Sequence, residues 1–190
     1  QSPLITLSID DVKSKMADAS ADLVPEPTTS ETICFWLYSS GSTGNPKGVV
    51  HPHRSMVYTS QCSGVDTIGM REDDVCFSVS KLFHSYGFGN ALTFPLWVGA
   101  TIAISEEKVS PAMAFEKIEK FKPSIFVGVP TLYAQQLHYM ESNDVDTSSV
   151  RHCVSAGEAL PADVFLRWKE KTGTVILDCL GSTEALHFFI

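Results

Sequence analysis

No basic cluster occurs anywhere in the chain: its 14 Lys and Arg are scattered among 22 Asp and Glu, giving a net charge of −8. A nucleic-acid surface is therefore not expected, because phosphate backbones are held by concentrated positive charge. No apolar run approaches the roughly 20 residues of a membrane span, and no leader peptide is visible, so no membrane partner is expected. The five cysteines, Cys34, Cys62, Cys76, Cys153 and Cys179, never form a C-x-x-C pair. That spacing argues against zinc and disulfides and for buried free thiols in a reducing compartment, with the cytoplasm as the expected location. There is no internal repeat. Also missing are an initiator methionine and a polar tail after the closing run ALHFFI, and a piece of a longer protein is the expectation.

What is present suits a globular core: 190 residues, 44% hydrophobic and 19% charged. Six runs rich in β-branched and aromatic residues read as strands: ETICFWLYS (31–39), DVCFSVS (74–80), ATIAIS (100–105), PSIFVGV (123–129), RHCVSAG (151–157) and TVILDCL (174–180). Most are apolar on both faces. Between them, Ser110 and Pro111 start a helix as cap and first-turn proline, and Pro161 opens ADVFLRWKEKTG, which Gly173 can close. A further helix is expected over about 9–19, followed by the linker VPEPTTSE (24–31). Strands buried on both sides and alternating with helices predict an α/β fold with a largely parallel sheet flanked by helices. The domain reading is an N-terminal helix and linker over 1–30 and a nucleotide-binding domain over 31–190.

Loops beyond the carboxyl ends of such strands are where ligands bind. The loop after the first strand, YSSGSTGNPKG, sets Ser39, Ser40, Ser42 and Thr43 among Gly41, Gly44 and Gly48, with the single cation Lys47. Small residues bring backbone N–H groups close to a ligand, and the hydroxyls and lysine suit phosphate oxygens. A Walker A loop has glycine before its lysine and a magnesium-binding hydroxyl after it, whereas here Pro46 precedes Lys47 and Gly48 follows. An ordinary P-loop kinase or GTPase is not expected on that ground. A polar turn joining two strands stays open as the bland reading. Three more loops, KLFHSYGFGN, SAGEALP and LGSTEALHFF, also combine glycine with hydroxyl, histidine or carboxylate groups. Four such loops at successive strand ends point to a site.

In this order, YSSGSTGNPKG, LFHSYGFG, SAGEALP and GSTE resemble the signature motifs of the adenylate-forming superfamily, which includes acyl- and aryl-CoA ligases. The resemblance runs from Glu31 to Ile190. It implies the N-terminal domain of an enzyme that joins a carboxylic acid to the α-phosphate of ATP, releases pyrophosphate, and passes the acyl group to a thiol such as coenzyme A. ATP, Mg2+, coenzyme A and a small-molecule carboxylic acid are the implied ligands.

By the same resemblance, Ser39, Ser40, Gly41, Ser42, Thr43, Gly44 and Lys47 hold the β- and γ-phosphates, Thr183 contacts the α-phosphate, and Glu184 holds the metal. Lys47, Thr183 and Glu184 are the implied catalytic set. Gly157, Glu158 and Ala159 lie along adenine. Leu180 stands where many relatives have a stacking aromatic. His84 takes a position beside the acyl pocket, and no aspartate is there to pair with an amino acid's ammonium. The acyl pocket most resembles the benzoate-CoA ligase branch, with Ser85, Tyr86, Gly87, Gly181, His187 and Phe188 as a small aryl pocket. Phe88, Phe94 and Phe189 are expected in the core, and His51 and His53 at the surface or in packing. A medium-chain fatty acyl ligase, a phosphotransferase and a non-catalytic nucleotide-binding domain are the alternative readings. The family's ribose-binding aspartate, hinge and catalytic lysine have no counterpart in these 190 residues, and the sequence carries no signal of oligomeric state.

Overall fold

The computed structural model describes residues 7–39 and 44–190. Its elements run α1 (Ile9–Ala17), β1 (Ile33–Ser39), β2 (Lys47–Pro52) and α2 (His53–Thr59), the last continuing as a π-helical stretch, Ser60–Thr67. Then come β3 (Val75–Ser78), a short α3 (Ser85–Phe88), a second π-helical stretch (Gly89–Thr93), α4 (Phe94–Val98) and β4 (Thr101–Ala103). The chain ends with α5 (Pro111–Phe121), β5 (Ile125–Gly128), α6 (Pro130–Tyr139), β6 (His152–Ala156), α7 (Ala162–Thr172) and β7 (Ile176–Cys179).

Five strands form one parallel sheet in the order β4-β3-β5-β6-β7. Side chains alternate across a pleated strand, and both faces here are apolar and covered. Phe77, Phe126, Cys153 and Ile176 face one cluster with Phe115 and Ile118 of α5, Leu132 and Tyr133 of α6, and Val164 and Trp168 of α7. Their neighbours Cys76, Ile125, Val127 and Val154 face a second cluster with Ile68, Met70, Phe94 and Phe188. Burial on both sides is why these strands read as continuous apolar runs.

The first predicted strand does not join that sheet. β1 pairs antiparallel with β2 in a separate hairpin, from Phe35 opposite His51 to Ser39 opposite Lys47. The glycine- and serine-rich loop is thus a hairpin connection between two strands; its residues Ser40, Gly41, Ser42 and Thr43 lie outside the described residues.

Capping signals acted as expected. Ser110 Oγ accepts from Met113 N at 3.2 Å, Pro161 immediately precedes α7, and Gly173 ends it at φ 73°. Helix α1 stops at Ala17, and none of its residues is buried. The thiols depart from expectation: all five are free, but Cys34 and Cys62 are exposed and only Cys76 and Cys153 are buried. Phe94 is fully buried, while Phe189 is 58% exposed rather than part of the core. No described helix is long and apolar enough to cross a membrane.

Candidate active site

The sheet order places a topological switch at β3. The chain leaves β3 toward β4 on one side and returns to β5 on the other, so the loops beyond these strands diverge and leave a crevice between them. Tyr86, in the segment after β3, donates its hydroxyl to the carbonyl of Gly128 at the end of β5, at 3.1 Å. Two cavities that share lining residues open along this edge.

The smaller, about 190 Å³, is lined by Ser85, Tyr86, Gly157, Thr183, His187 and Phe188, together with Ala156, Gly181 and Ser182. The larger, about 470 Å³, is lined by Gly157, Glu158, Ala159, Leu180 and Gly181, together with Asp178, Cys179 and Ile190. They share Gly157 and Gly181. Gly157 has φ 91°, a left-handed conformation that a side chain disfavours. At Gly181 a Cβ would come within 2.6 Å of the His187 carbonyl oxygen and the Phe188 Cα. The chain doubles back tightly there, with an antiparallel bridge from Gly181 to Phe188.

His187 forms the floor of the smaller cavity and is 2% exposed. Its ring lies 4.5 Å from those of Phe94 and Phe188, and its Nε2 is 3.1 Å from Asn90 Nδ2 and 3.2 Å from the Tyr86 carbonyl. Burial pushes its pKa down to about 4, against a smaller opposing pull from the Tyr86 carbonyl. The imidazole is uncharged at neutral pH. The lining of the smaller cavity holds no Asp or Glu, so nothing there pairs with an ammonium group.

Beyond β7, the carbonyl of Thr183 accepts from Leu186 N at 3.1 Å and closes a tight turn that presents Glu184, exposed, at its tip. Glu184 lines neither cavity. Among the described residues no group of three or more His, Cys, Asp and Glu could hold a metal. A lone carboxylate fits magnesium, which usually takes one or two protein carboxylates and completes its shell with phosphate oxygens and waters.

Ser39 ends β1 and Lys47 begins β2, exposed, with Gly44 between them at φ 83°. Of the residues predicted for the acyl pocket, two line neither cavity. Gly87 is packed where a Cβ would meet the Lys81 carbonyl at 2.2 Å, so it serves a close backbone contact. His84 is exposed, with its ring 4.6 Å from that of Phe83. The sequence reading missed Asn90, fully buried beside His187, and Ser63, whose Oγ donates to the Phe188 carbonyl at 3.1 Å. An asparagine inside the apolar stretch GFGNALTF was the available signal for the first. The second had none.

A parallel sheet covered on both faces thus carries, at its carboxyl edge, a small cavity with aromatic walls that shares Gly157 and Gly181 with a larger cleft beyond β6 and β7, the architecture of an α/β protein. Residues 2–190 match the model of the AMP-binding enzyme family, and the chain belongs to that family. It is 47% identical to the benzoate-CoA ligase of Thauera aromatica over 181 residues, covering 95% of this chain and 34% of that protein. It is 42% identical to a 4-hydroxybenzoate-CoA/benzoate-CoA ligase of Rhodopseudomonas palustris over 167 residues, covering 87% and 31%. Among solved structures, an anthranilate CoA ligase in complex with anthranoyl-AMP superposes with a TM-score of 0.88 at 40% identity, covering 94% of this chain and 34% of that one. A benzoate CoA ligase from Burkholderia xenovorans gives 0.84 at 40% identity, covering 93% and 35%. The chain thus spans about a third of the length of these relatives.

Proposed function

We propose that this chain forms part of an acid-thiol ligase that activates benzoate or a close small aryl acid with ATP and passes the acyl group to coenzyme A. The observation that carries the proposal is the pair of cavities joined at Gly157 and Gly181. The smaller has a volume below the ~300 Å³ at which drug-sized ligands begin to fit. Its walls include Tyr86, His187 and Phe188, flat faces on which an aromatic ring can stack. The named substrates of the relatives, benzoate, 4-hydroxybenzoate and anthranilate, have this shape.

With no cation in the smaller cavity's lining, the acid's carboxylate is not held by an ion pair inside it. It points to the shared rim, where Thr183 and the larger cleft meet. There a carboxylate oxygen bonds to the α-phosphorus of ATP, the bond from that phosphorus to the bridging oxygen breaks, and pyrophosphate leaves. A thiol then attacks the acyl carbonyl, and AMP leaves. Negative charge gathers on phosphate oxygens in the first step, so the work of the protein is positioning and electrostatic stabilisation.

In this reading Gly157, Glu158, Ala159 and Leu180 line the adenine cleft, Leu180 by apolar contact without stacking. Ser39, Gly44, Lys47 and the loop residues Ser40, Gly41, Ser42 and Thr43 hold the outer phosphates. Glu184 is the residue that would hold Mg2+, which supplies charge neutralisation at the phosphates. Ser85, Tyr86, Gly181, His187 and Phe188 enclose the ring; His84 and Gly87 lie outside that wall. Residues 31–190 form the nucleotide-binding domain portion, with 1–30 as a leading helix and linker.

The test is a pyrophosphate-release screen of the full-length protein with benzoate, hydroxybenzoates, cinnamates and octanoate. Benzoate or a hydroxybenzoate should lead, with AMP as the nucleotide product. Release of ADP would assign a phosphotransferase, and a preference for octanoate would assign a medium-chain acyl ligase.

A further inference from the structure

One buried imidazole touches the nucleotide site from the hairpin side. His51 lies on β2 and is 3% exposed. Its Nε2 is 2.9 Å from the carbonyl oxygen of Thr183, 132 residues further along the chain. A carbonyl only accepts, so Nε2 carries the proton and donates. His51 and Lys47 are four residues apart on a strand, which puts them on the same face of the hairpin. That face turns toward the sheet's carboxyl edge: Phe35, opposite His51, packs 5.3 Å from its ring and 5.1 Å from that of Phe88.

The bond falls on the one carbonyl that also closes the Glu184 turn. Thr183 O accepts both Leu186 N, at 3.1 Å, and His51 Nε2. The turn includes Leu186 at φ 65°, unusual for a residue with a branched side chain, and such backbone persists only where the surroundings hold it. Elsewhere the segment is tied by Ser63 to the Phe188 carbonyl, by the Gly181–Phe188 bridge, by Ser182 N to the His187 carbonyl at 3.3 Å and by Ala185 N to Ser182 Oγ at 3.2 Å. None of these ties joins the Glu184 turn to the hairpin.

We propose that His51 is a positioning residue for Mg2+-ATP: its Nε2–H to Thr183 fixes the Glu184 turn relative to the strand that begins with Lys47. The carboxylate and the lysine, assigned above to the same polyphosphate, then hold a set separation before nucleotide arrives. This rests on the nucleotide assignment under the proposed function. The structural part, that His51 restrains the turn, stands independently of it.

Two substitutions separate donor from packing. His51→Leu keeps apolar contact with Phe35 and loses the donor, whereas His51→Gln places an amide N–H near the Nε2 position. In the full-length protein without nucleotide, the Leu186 amide should exchange about tenfold faster in His51→Leu and within about threefold of wild type in His51→Gln. In pyrophosphate exchange, His51→Leu should raise the magnesium concentration for half-maximal rate about tenfold, with KM for the acid within about twofold, and His51→Gln should restore it. Unchanged Leu186 exchange in His51→Leu would overturn the proposal. So would equal impairment of the two variants, which would mean that the ring's packing is what counts. If the wild type shows no pyrophosphate exchange with any acid, the function reading fails, and Leu186 exchange still decides whether His51 restrains the turn.

Discussion

The two ends of the parallel sheet are built on opposite terms. At the amino end, Asp74 just before β3, Ser124 just before β5 and Arg151 just before β6 form a closed clasp. Arg151 donates from Nε and Nη2 to the two Asp74 carboxylate oxygens at 2.9 and 2.5 Å, and from Nη2 to the Gly69 carbonyl at 2.8 Å. Ser124 Oγ donates to Asp74 at 2.6 Å while accepting from Val75 N at 3.0 Å, and Arg71 N adds a further bond to Asp74 at 2.8 Å. The carboxyl end holds the two cavities that share Gly157 and Gly181, with Gly157 and Leu186 in left-handed conformations. Asn90 Oδ1 and His187 Nδ1 are buried there without a partner. The side chains of the clasp satisfy one another, whereas His187, in the wall of the smaller cavity, keeps a buried nitrogen without a protein partner.

The sharpest way to break this comparison is to exchange one carboxylate from each end. Asp74→Ala strands a guanidinium whose partner was 1% exposed, and removing one member of a buried pair costs about 3–5 kcal/mol of folding stability. Chemical denaturation at neutral pH checks it. Glu184→Gln should move stability by less than about 0.5 kcal/mol, since the side chain is exposed. The same change should slow adenylate formation on the order of 100-fold. Lys47→Ala should slow it only about tenfold, because backbone donors remain around the phosphates. If Glu184→Gln is as active as wild type while Lys47→Ala is dead, the metal-site assignment is wrong.

The same division explains what could be read from sequence. Strands β3, β5 and β6 announce themselves because both faces are buried, the edge strands β4 and β7 through short β-branched and apolar runs, and α5 and α7 because proline, serine and glycine mark their ends. β2 was invisible: KGVVHP is six residues carrying lysine, glycine and proline, and it becomes a strand only through its partner β1. Helix α6, PTLYAQQLHY, was missed because its buried face includes Gln136, with no exposure, and Tyr133, which blurs the apolar period. The π-helical stretch Ser60–Thr67 has no 3.6-residue repeat to detect. Of the residues that motif resemblance picked out, Tyr86, Gly157, Gly181, Thr183, His187 and Phe188 line one cavity. His51 acts through a single long-range bond that leaves no local pattern, and Asn90 is marked in the sequence only as a polar residue in an apolar run, its partner His187 being revealed by the folded geometry.

Acid should loosen the carboxyl end first. His187 titrates at 6.5 when unfolded and at about 4 when folded, with burial as the main cause. Between those values the unfolded chain binds the proton before the folded one, so stability is intact above pH 6.5 and falls as pH drops toward 4, by roughly 3 kcal/mol. Asp74 behaves differently. Burial works to raise its carboxyl, but hydrogen bonds from Arg151 and Ser124 outweigh that and hold it below the ordinary aspartate value. The clasp therefore yields only at lower pH. Denaturation profiles from pH 7.5 to 4.5 should show the decline in wild type, and His187→Gln should remove most of it. A smaller part should remain, because burial and Arg151 also lower His152. An unchanged profile in His187→Gln would place the acid sensitivity outside the pocket.

The smallest expected effect asks where the pocket ends. Phe188 is 7% exposed and belongs to both the cavity wall and the second core cluster. Removing it entirely would mix two consequences, because a buried Phe→Ala change costs about 3–5 kcal/mol through the void it leaves. Phe188→Leu is the cleaner probe: it keeps an apolar side chain against Ile68 and Met70 while shortening the wall that the ring meets. If the wall limits substrate size, the ratio of kcat/KM for para-substituted or longer acids over benzoate should rise about tenfold, within the 1–3 kcal/mol that one methylene contributes in an apolar pocket. Benzoate itself should lose, since its ring packs against a wall that has receded. Phe188→Ala should shift the ratio in the same direction with a larger loss of stability. An unshifted ratio in both variants, with octanoate preferred over benzoate by the wild type, would mean that the acyl group passes beyond this wall and that the aryl assignment fails.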